Sequence, residues 1–138
     1  MILSLLIISY KLRAFGYDEL LPVSGGHANN WGGVGMTLVD SLDTLFIMDM
    51  KEDFEIACQW VSVYPRDNLK VIEDLKVEHN GAMSVFEYNI RLLGGLLSAY
   101  DLSGKPELLQ KAKEVGEVLK IAFEEDNPIP VVRFVHSL

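Results

Sequence analysis

Between Ser84 and Phe123 the sequence holds two helical patterns of opposite character, separated only by Ser103-Gly104-Lys105. From Ser84 to Tyr100 apolar side chains fall nearly all round the predicted helix: Val85, Phe86, Ile90, Leu92, Leu93, Leu96, Leu97 and Ala99. Such a helix needs cover on most sides. From Pro106 to Phe123 the apolar residues Leu108, Ala112, Val115, Leu119 and Ala122 keep to one face. The pairs Glu107/Lys111 and Lys113/Glu117 are spaced i,i+4 on what reads as its wet side. An enclosed helix joined by a tight loop to a half-exposed one is the pattern of helical hairpins set around a centre. Solenoids and α/α barrels share it. No fixed-period repeat separates the two. The expected fold class is therefore all-α.

Upstream, Gly and Pro divide the chain unevenly. Met1 to Phe15 is apolar with two cations, and reads as an apolar helix start, or as a chain that begins inside a larger protein, more readily than as a signal peptide, because a basic n-region and a small-x-small cleavage site are missing. Its apolar run, Met1 to Ile8, is too short to span a bilayer. Gly16 to Gly35 reads as one long loop. Thr37 to Met48 reads as a helix with Thr37 at the N-cap and Asp40 completing a capping-box-like pair. Asp53 to Val63 reads as another helix, with Phe54, Ala57, Cys58 and Val61 on one side. Leu69 to Ala82 is ambiguous, with a turn signal at Asn80-Gly81, and Val131 to Val135 is a short apolar stretch after loop residues.

Composition removes several classes of function. A net charge of −8 argues against a broad nucleic-acid-binding surface, which needs Lys and Arg to displace counterions. A single cysteine, Cys58, excludes an internal disulfide framework and a cysteine-based zinc cluster. The glycines at 32, 33 and 35 lack the Lys-Ser/Thr of a P-loop. His27, His79 and His136 show no metal-ligand spacing and read as surface histidines.

The chemistry with the best claim lies on the apolar helix. Glu87 and Arg91 are four apart and share a face, and Gly94-Gly95 follow on that face. Glycines there leave a trough for a ligand or for close helix packing. A carboxyl withdrawn from water can serve as a general acid. Equally, Ser84-x-x-Glu87 before an apolar run is a capping box, and Glu87–Arg91 can be a structural ion pair. Asp40 and Asp43, spaced i,i+3, suit acid/base work or a cation, or merely the first turn of a helix. Asp18 and Glu19 read as turn formers. Trp60, Tyr88 and Tyr100 read as core or rim residues.

Four ordered blocks carry a resemblance. They are Ala14–Pro22 (AFGYDELLP), Gly32–Leu45 (GGVGMTLVDSLDTL), Ser84–Tyr100 (SVFEYNIRLLGGLLSAY) and Leu102-Ser103-Gly104 with the later Ala122-Phe123. The chain from about Tyr10 to Pro130 resembles the N-terminal part of glycoside hydrolase family 47, the class I α-1,2-mannosidases. The resemblance implies residues 10–138 as the incomplete start of a catalytic domain behind a divergent apolar start at residues 1–9. It implies helical hairpins forming part of an (α/α)7 barrel. It implies inverting, calcium-dependent hydrolysis of terminal α-1,2-linked mannose from high-mannose N-glycans or glycoproteins, with the fragment alone inactive. Glu87 takes the place of the family's catalytic acid, and Arg91 that of a residue lining the sugar cavity. The calcium ligands and the other catalytic carboxylates would lie outside this chain.

A secretory-pathway location, endoplasmic reticulum or Golgi, is implied too, with any membrane anchor not visible in this chain. Two other readings stand beside hydrolysis. One is a lectin-like member that binds misfolded glycoproteins for ER-associated degradation, and the other is a non-functional fragment. Departures from the family pattern include Asp49, where glycine is common, and Glu125-Asp126 and Pro128 in place of a Thr-Pro pair and a Gly.

Overall fold

The computed structural model describes residues 2–63, 83–123 and 133–134. The expectations for Leu69–Ala82, His79, His136 and the 125–128 departures lie outside the described residues. Helix α1 covers Ile2–Arg13. The segment expected to be all loop instead contains a small antiparallel hairpin, β1 (Glu19–Leu21) with β2 (Gly26–Ala28), in which Leu20 pairs with His27. Gly25, at φ +72°, makes the turn that the glycine signal predicts. Tyr17 stacks on His27 with ring centroids 3.6 Å apart, and His27 lies exposed as expected.

The expected Thr37–Met48 helix is two short helices, α2 (Met36–Asp40) and α3 (Leu42–Ile47), broken at Ser41. The Thr37 cap is also corrected. The N-cap is Gly35 in the left-handed region, with no side-chain cap of its own. The Thr37 hydroxyl donates instead to the Asp18 carbonyl at 2.5 Å. Gly35 is needed here because its φ is +67° and a Cβ would meet the Trp60 ring at 2.5 Å.

Helix α3 ends in a Schellman turn: the Met50 N–H donates to the Leu45 carbonyl at 2.9 Å. Asp49 sits at its left-handed position with φ +57°. That geometry is the physical reason a glycine suits this position. The Asp49–Lys51 ion pair nearby is exposed on both sides and offers little compensation. Asp49→Gly is therefore expected to raise stability by about 0.5–1 kcal/mol, read as a higher urea midpoint at unchanged slope.

Helix α4 runs Lys51–Val63 and buries Phe54, Ala57, Cys58 and Val61, the face expected. Burial pushes the Cys58 thiol up to about 12, so it stays protonated and acts as a small apolar core residue. The strand β3 (Met83–Ser84) pairs antiparallel with β4 (Arg133–Phe134), a contact with no counterpart in the local sequence signals.

The apolar helix is one rod in three stretches: α5 (Val85–Glu87), a π-helical stretch Tyr88–Leu93, and α6 (Gly94–Ser103). Gly104, left-handed at φ +71°, closes it, and its N–H donates to the Tyr100 carbonyl at 2.7 Å. Helix α7 (Pro106–Lys120) follows at once and packs back along the rod. Leu108, Ala112, Val115, Leu119 and Ala122 are all buried, as their spacing predicts. Lys111 is a correction: it is 3% exposed on the buried face, and it pairs with Glu114 at 2.8 Å rather than with Glu107.

One core joins these pieces. Helices α2, α3 and α4 pack against α6 and α7 around Leu38, Leu42, Leu45, Leu96 and Leu108. At Gly95 the crossing of α2 and the rod is close enough that a Cβ would lie 3.0 Å from the Val39 carbonyl oxygen. Close packing therefore accounts for Gly95, and the backbone of α2 fills the trough. The rod is not covered on most sides. It buries Val85, Tyr88, Leu92, Leu96 and Ala99, while Phe86, Ile90 and Leu97 stand 62%, 49% and 43% exposed. Among the described residues nothing covers that apolar stripe. No helix among them is long and apolar enough to cross a membrane.

Candidate functional site

The site begins at the first turn of the rod. The Ser84 hydroxyl accepts the Glu87 N–H at 3.3 Å, which is half of the capping box. The other half is missing: among the described residues no hydrogen bond reaches the Glu87 carboxylate. Its charged neighbour is Arg91, whose Nη1 is 3.7 Å from Glu87 Oε2 across one turn. The carboxyl is about 30% exposed, beside the bare Phe86 and Ile90. So Ser84 starts the helix, and the carboxyl stays available for chemistry.

The wide π-helical stretch directly after Glu87 carries Arg91. Such stretches strain the regular ladder and recur at functional sites. Two further elements hold the guanidinium. Arg91 Nε donates to Asp40 Oδ2 of α2 at 2.8 Å. The guanidinium carbon stands 5.4 Å from the centre of the Trp31 ring, a cation–π arrangement worth about 0.5–1 kcal/mol when exposed. Asp40 thus serves Arg91 rather than a capping box. Asp43 accepts from Ser98 Oγ at 2.8 Å, so the paired carboxylates of α2 and α3 point to different partners on the rod.

Behind this layer a buried carboxylate shapes the glycine-rich loop. Asp18, with no exposure at all, accepts the N–H groups of Trp31 at 2.8 Å, Gly33 at 2.8 Å and Met36 at 3.1 Å. The last of these lies at the N-terminus of α2, where negative charge suits the helix dipole. Glu19 accepts from the Trp31 indole N–H at 3.3 Å. The Tyr88 hydroxyl donates to the Trp31 carbonyl, tying the loop to the rod. Burial raises the Tyr88 hydroxyl above its ordinary value, so it remains a donor.

Glu87 and Arg91, the residues that stand out on the sequence, are therefore brought together, and Asp40 joins them from α2. Trp31 carries no comparable mark in the sequence, and Asp18 reads there as a mere turn former. The available signal is an acid ahead of a run of glycines, whose free N–H groups need an acceptor. Among the described residues no group of three or more His, Cys, Asp or Glu side chains could hold a metal ion. The described residues thus offer no carboxylate cluster for calcium.

A rod backed along one flank by the next helix, α7, is the hairpin arrangement that α/α barrels and solenoids share. The chain belongs to glycosyl hydrolase family 47, whose profile matches residues 7–137. It is similar to mannosyl-oligosaccharide 1,2-alpha-mannosidase IA of Sus scrofa, at 48% identity over 88% of this chain and 18% of that protein. It is similar to the endoplasmic reticulum mannosyl-oligosaccharide 1,2-alpha-mannosidase of Rattus norvegicus, at 43% identity over 88% of this chain and 17% of that protein. Among solved structures, an alpha-1,2-mannosidase from Trichoderma reesei superposes with a TM-score of 0.75 and 32% identity, over 91% of this chain and 27% of that one. The fold is thus all-α, helical hairpins forming part of an (α/α)7 barrel. The chain spans less than a fifth of the length of these two curated relatives.

Proposed function

We propose that this chain is the start of the catalytic domain of a mannosyl-oligosaccharide 1,2-α-mannosidase, residues 10–138 following a divergent start at 1–9. The full-length protein would remove terminal α-1,2-linked mannose from high-mannose N-glycans in the secretory pathway. The observation that carries the reading is the Glu87 carboxyl, left without a capping bond and set beside Arg91 at a bare, partly apolar surface. Glu87 acts as general acid, protonating the leaving glycosidic oxygen. Arg91 donates hydrogen bonds to sugar hydroxyls. The names of the relatives support the substrate class, and the endoplasmic reticulum named for one of them supports the compartment.

Inversion requires a second carboxyl on the far side of the sugar to activate water, roughly 6.5–9.5 Å from the acid. The nearby candidates Asp40 and Asp43 are engaged by Arg91 and Ser98. The resemblance implies that the second carboxyl and the calcium ligands lie outside this chain, and no step here runs through the metal. The 138-residue chain alone is expected to release no mannose from α-1,2-mannobiose, while the full-length protein releases it first as the β-anomer. Proton NMR of the fresh product checks both. Mannose released by the short chain would overturn the division of labour, and an α-anomer appearing first would overturn inversion.

A further inference from the structure

Asp40 belongs to α2, Trp31 to the glycine-rich loop and Arg91 to the rod, yet all three meet at one guanidinium. Of the five N–H donors of an arginine, one is spent on Asp40. Among the described residues no hydrogen bond reaches the donors on the two terminal nitrogens, and Glu87 lies at 3.7 Å, beyond hydrogen-bond range. The guanidinium carbon lies over the Trp31 ring, 5.4 Å from its centre. The long, flexible stem is thus fixed by an anchor on Nε and a platform beneath, while the outer edge keeps its donors. Asp40 is itself 41% exposed and Arg91 26%, so as a simple tie between helices the pair would contribute little.

Resting on the reading of Glu87 and Arg91 as sugar-cavity residues, we infer that Asp40 and Trp31 are positioning residues. They orient Arg91 so that its terminal N–H groups bind the hydroxyls of the mannose that departs from Glu87's side. A guanidinium already ordered loses less freedom on binding, so their removal weakens sugar affinity without removing a contact to the sugar. Asp18 supports both, since it fixes the Trp31 backbone and the first turn of α2.

The test uses the full-length protein in a Glu87→Gln background, with α-1,2-mannobiose as the probe and calorimetry for Kd. Arginine labelled at Nε reports the Arg91 N–H by NMR, assigned by its loss in Arg91→Lys. Asp40→Asn is expected to weaken binding about 5–10-fold and to abolish the protected Nε–H signal, with Tm within a few degrees of the parent. Asp40→Glu should restore both signal and affinity. Should Asp40→Asn fail to fold, Trp31→Leu tests the same point, with an expected loss of about threefold that Trp31→Phe recovers. Unchanged affinity in Asp40→Asn or Trp31→Leu, or an Nε–H signal indifferent to Asp40, would overturn the inference. A parent that binds mannobiose in a protein whose wild type never hydrolyses it would sink the hydrolase reading and leave this one standing. A parent that does not bind the disaccharide at all would sink both.

Discussion

Asp18→Ala is expected to cost the protein about 3–5 kcal/mol, a large share of the net stability of a domain. The carboxylate is fully buried and takes three backbone N–H groups, those of Trp31, Gly33 and Met36. Its removal strands those donors in a dry interior, at about 1–3 kcal/mol each before any water enters. Net stabilities of about 5–15 kcal/mol cannot absorb that without visible loss. Asp18→Asn keeps one acceptor oxygen and places an N–H₂ against donors, so an intermediate loss is expected. The check is thermal or urea unfolding of the full-length variants, read through intrinsic tryptophan fluorescence. An alanine variant within about 1 kcal/mol of wild type would show that the loop holds its shape without the carboxylate.

Glu87→Gln has the opposite profile: little change in stability and a severe loss of turnover. Among the described residues the Glu87 carboxylate makes no hydrogen bond and one ion pair, with Arg91 at 3.7 Å, both groups being partly exposed. Such a pair is worth under about 1 kcal/mol. Glutamine fits the same space and leaves the Ser84 cap intact, because that bond uses the backbone N–H. Chemistry is another matter. Loss of a positioned general acid removes about 10²–10⁴-fold when the leaving group needs a proton. A sugar leaving group does need one, whereas a nitrophenolate does not. The loss should therefore be large on a disaccharide and small on an activated aryl mannoside.

The helical content can be read from period and punctuation alone. α4 and α7 bury the faces their spacing marks, and Gly104 closes the rod where the glycine stands. Reading fails where a side chain answers to a partner far along the chain. Thr37 looks like a cap beside its own helix, yet Asp18, 19 residues earlier, takes its hydroxyl. Asp40 looks like the end of a capping box, yet Arg91, 51 residues later, takes its carboxylate. Lys111 looks like a surface cation because it sits i,i+4 from Glu107, but it lies within the buried stripe of α7 and turns to Glu114. The uncovered stripe of Phe86, Ile90 and Leu97 shows the same limit from the other side. Apolarity all round a helix states a need for cover but not which residues supply it.

At the candidate site the two residues with local spacing, Glu87 and Arg91, are legible. Trp31 is not, because its place under the guanidinium is set by the Asp18 network and by the Tyr88 hydroxyl on the rod. The capping and catalytic readings of Ser84-x-x-Glu87 are inseparable in sequence. In the structure the Ser84 hydroxyl supplies its half of the box, while among the described residues the Glu87 carboxylate does not supply the other.

The most direct test compares wild-type and Glu87→Gln full-length protein on α-1,2-mannobiose and on 2,4-dinitrophenyl α-mannoside, by initial rates of product release. With Glu87 as the acid, the variant loses about 10²–10⁴-fold on the disaccharide and less than about tenfold on the aryl mannoside. Equal losses on the two substrates, or disaccharide turnover close to wild type, would contradict the assignment and return Glu87 to a purely structural place at the head of the rod.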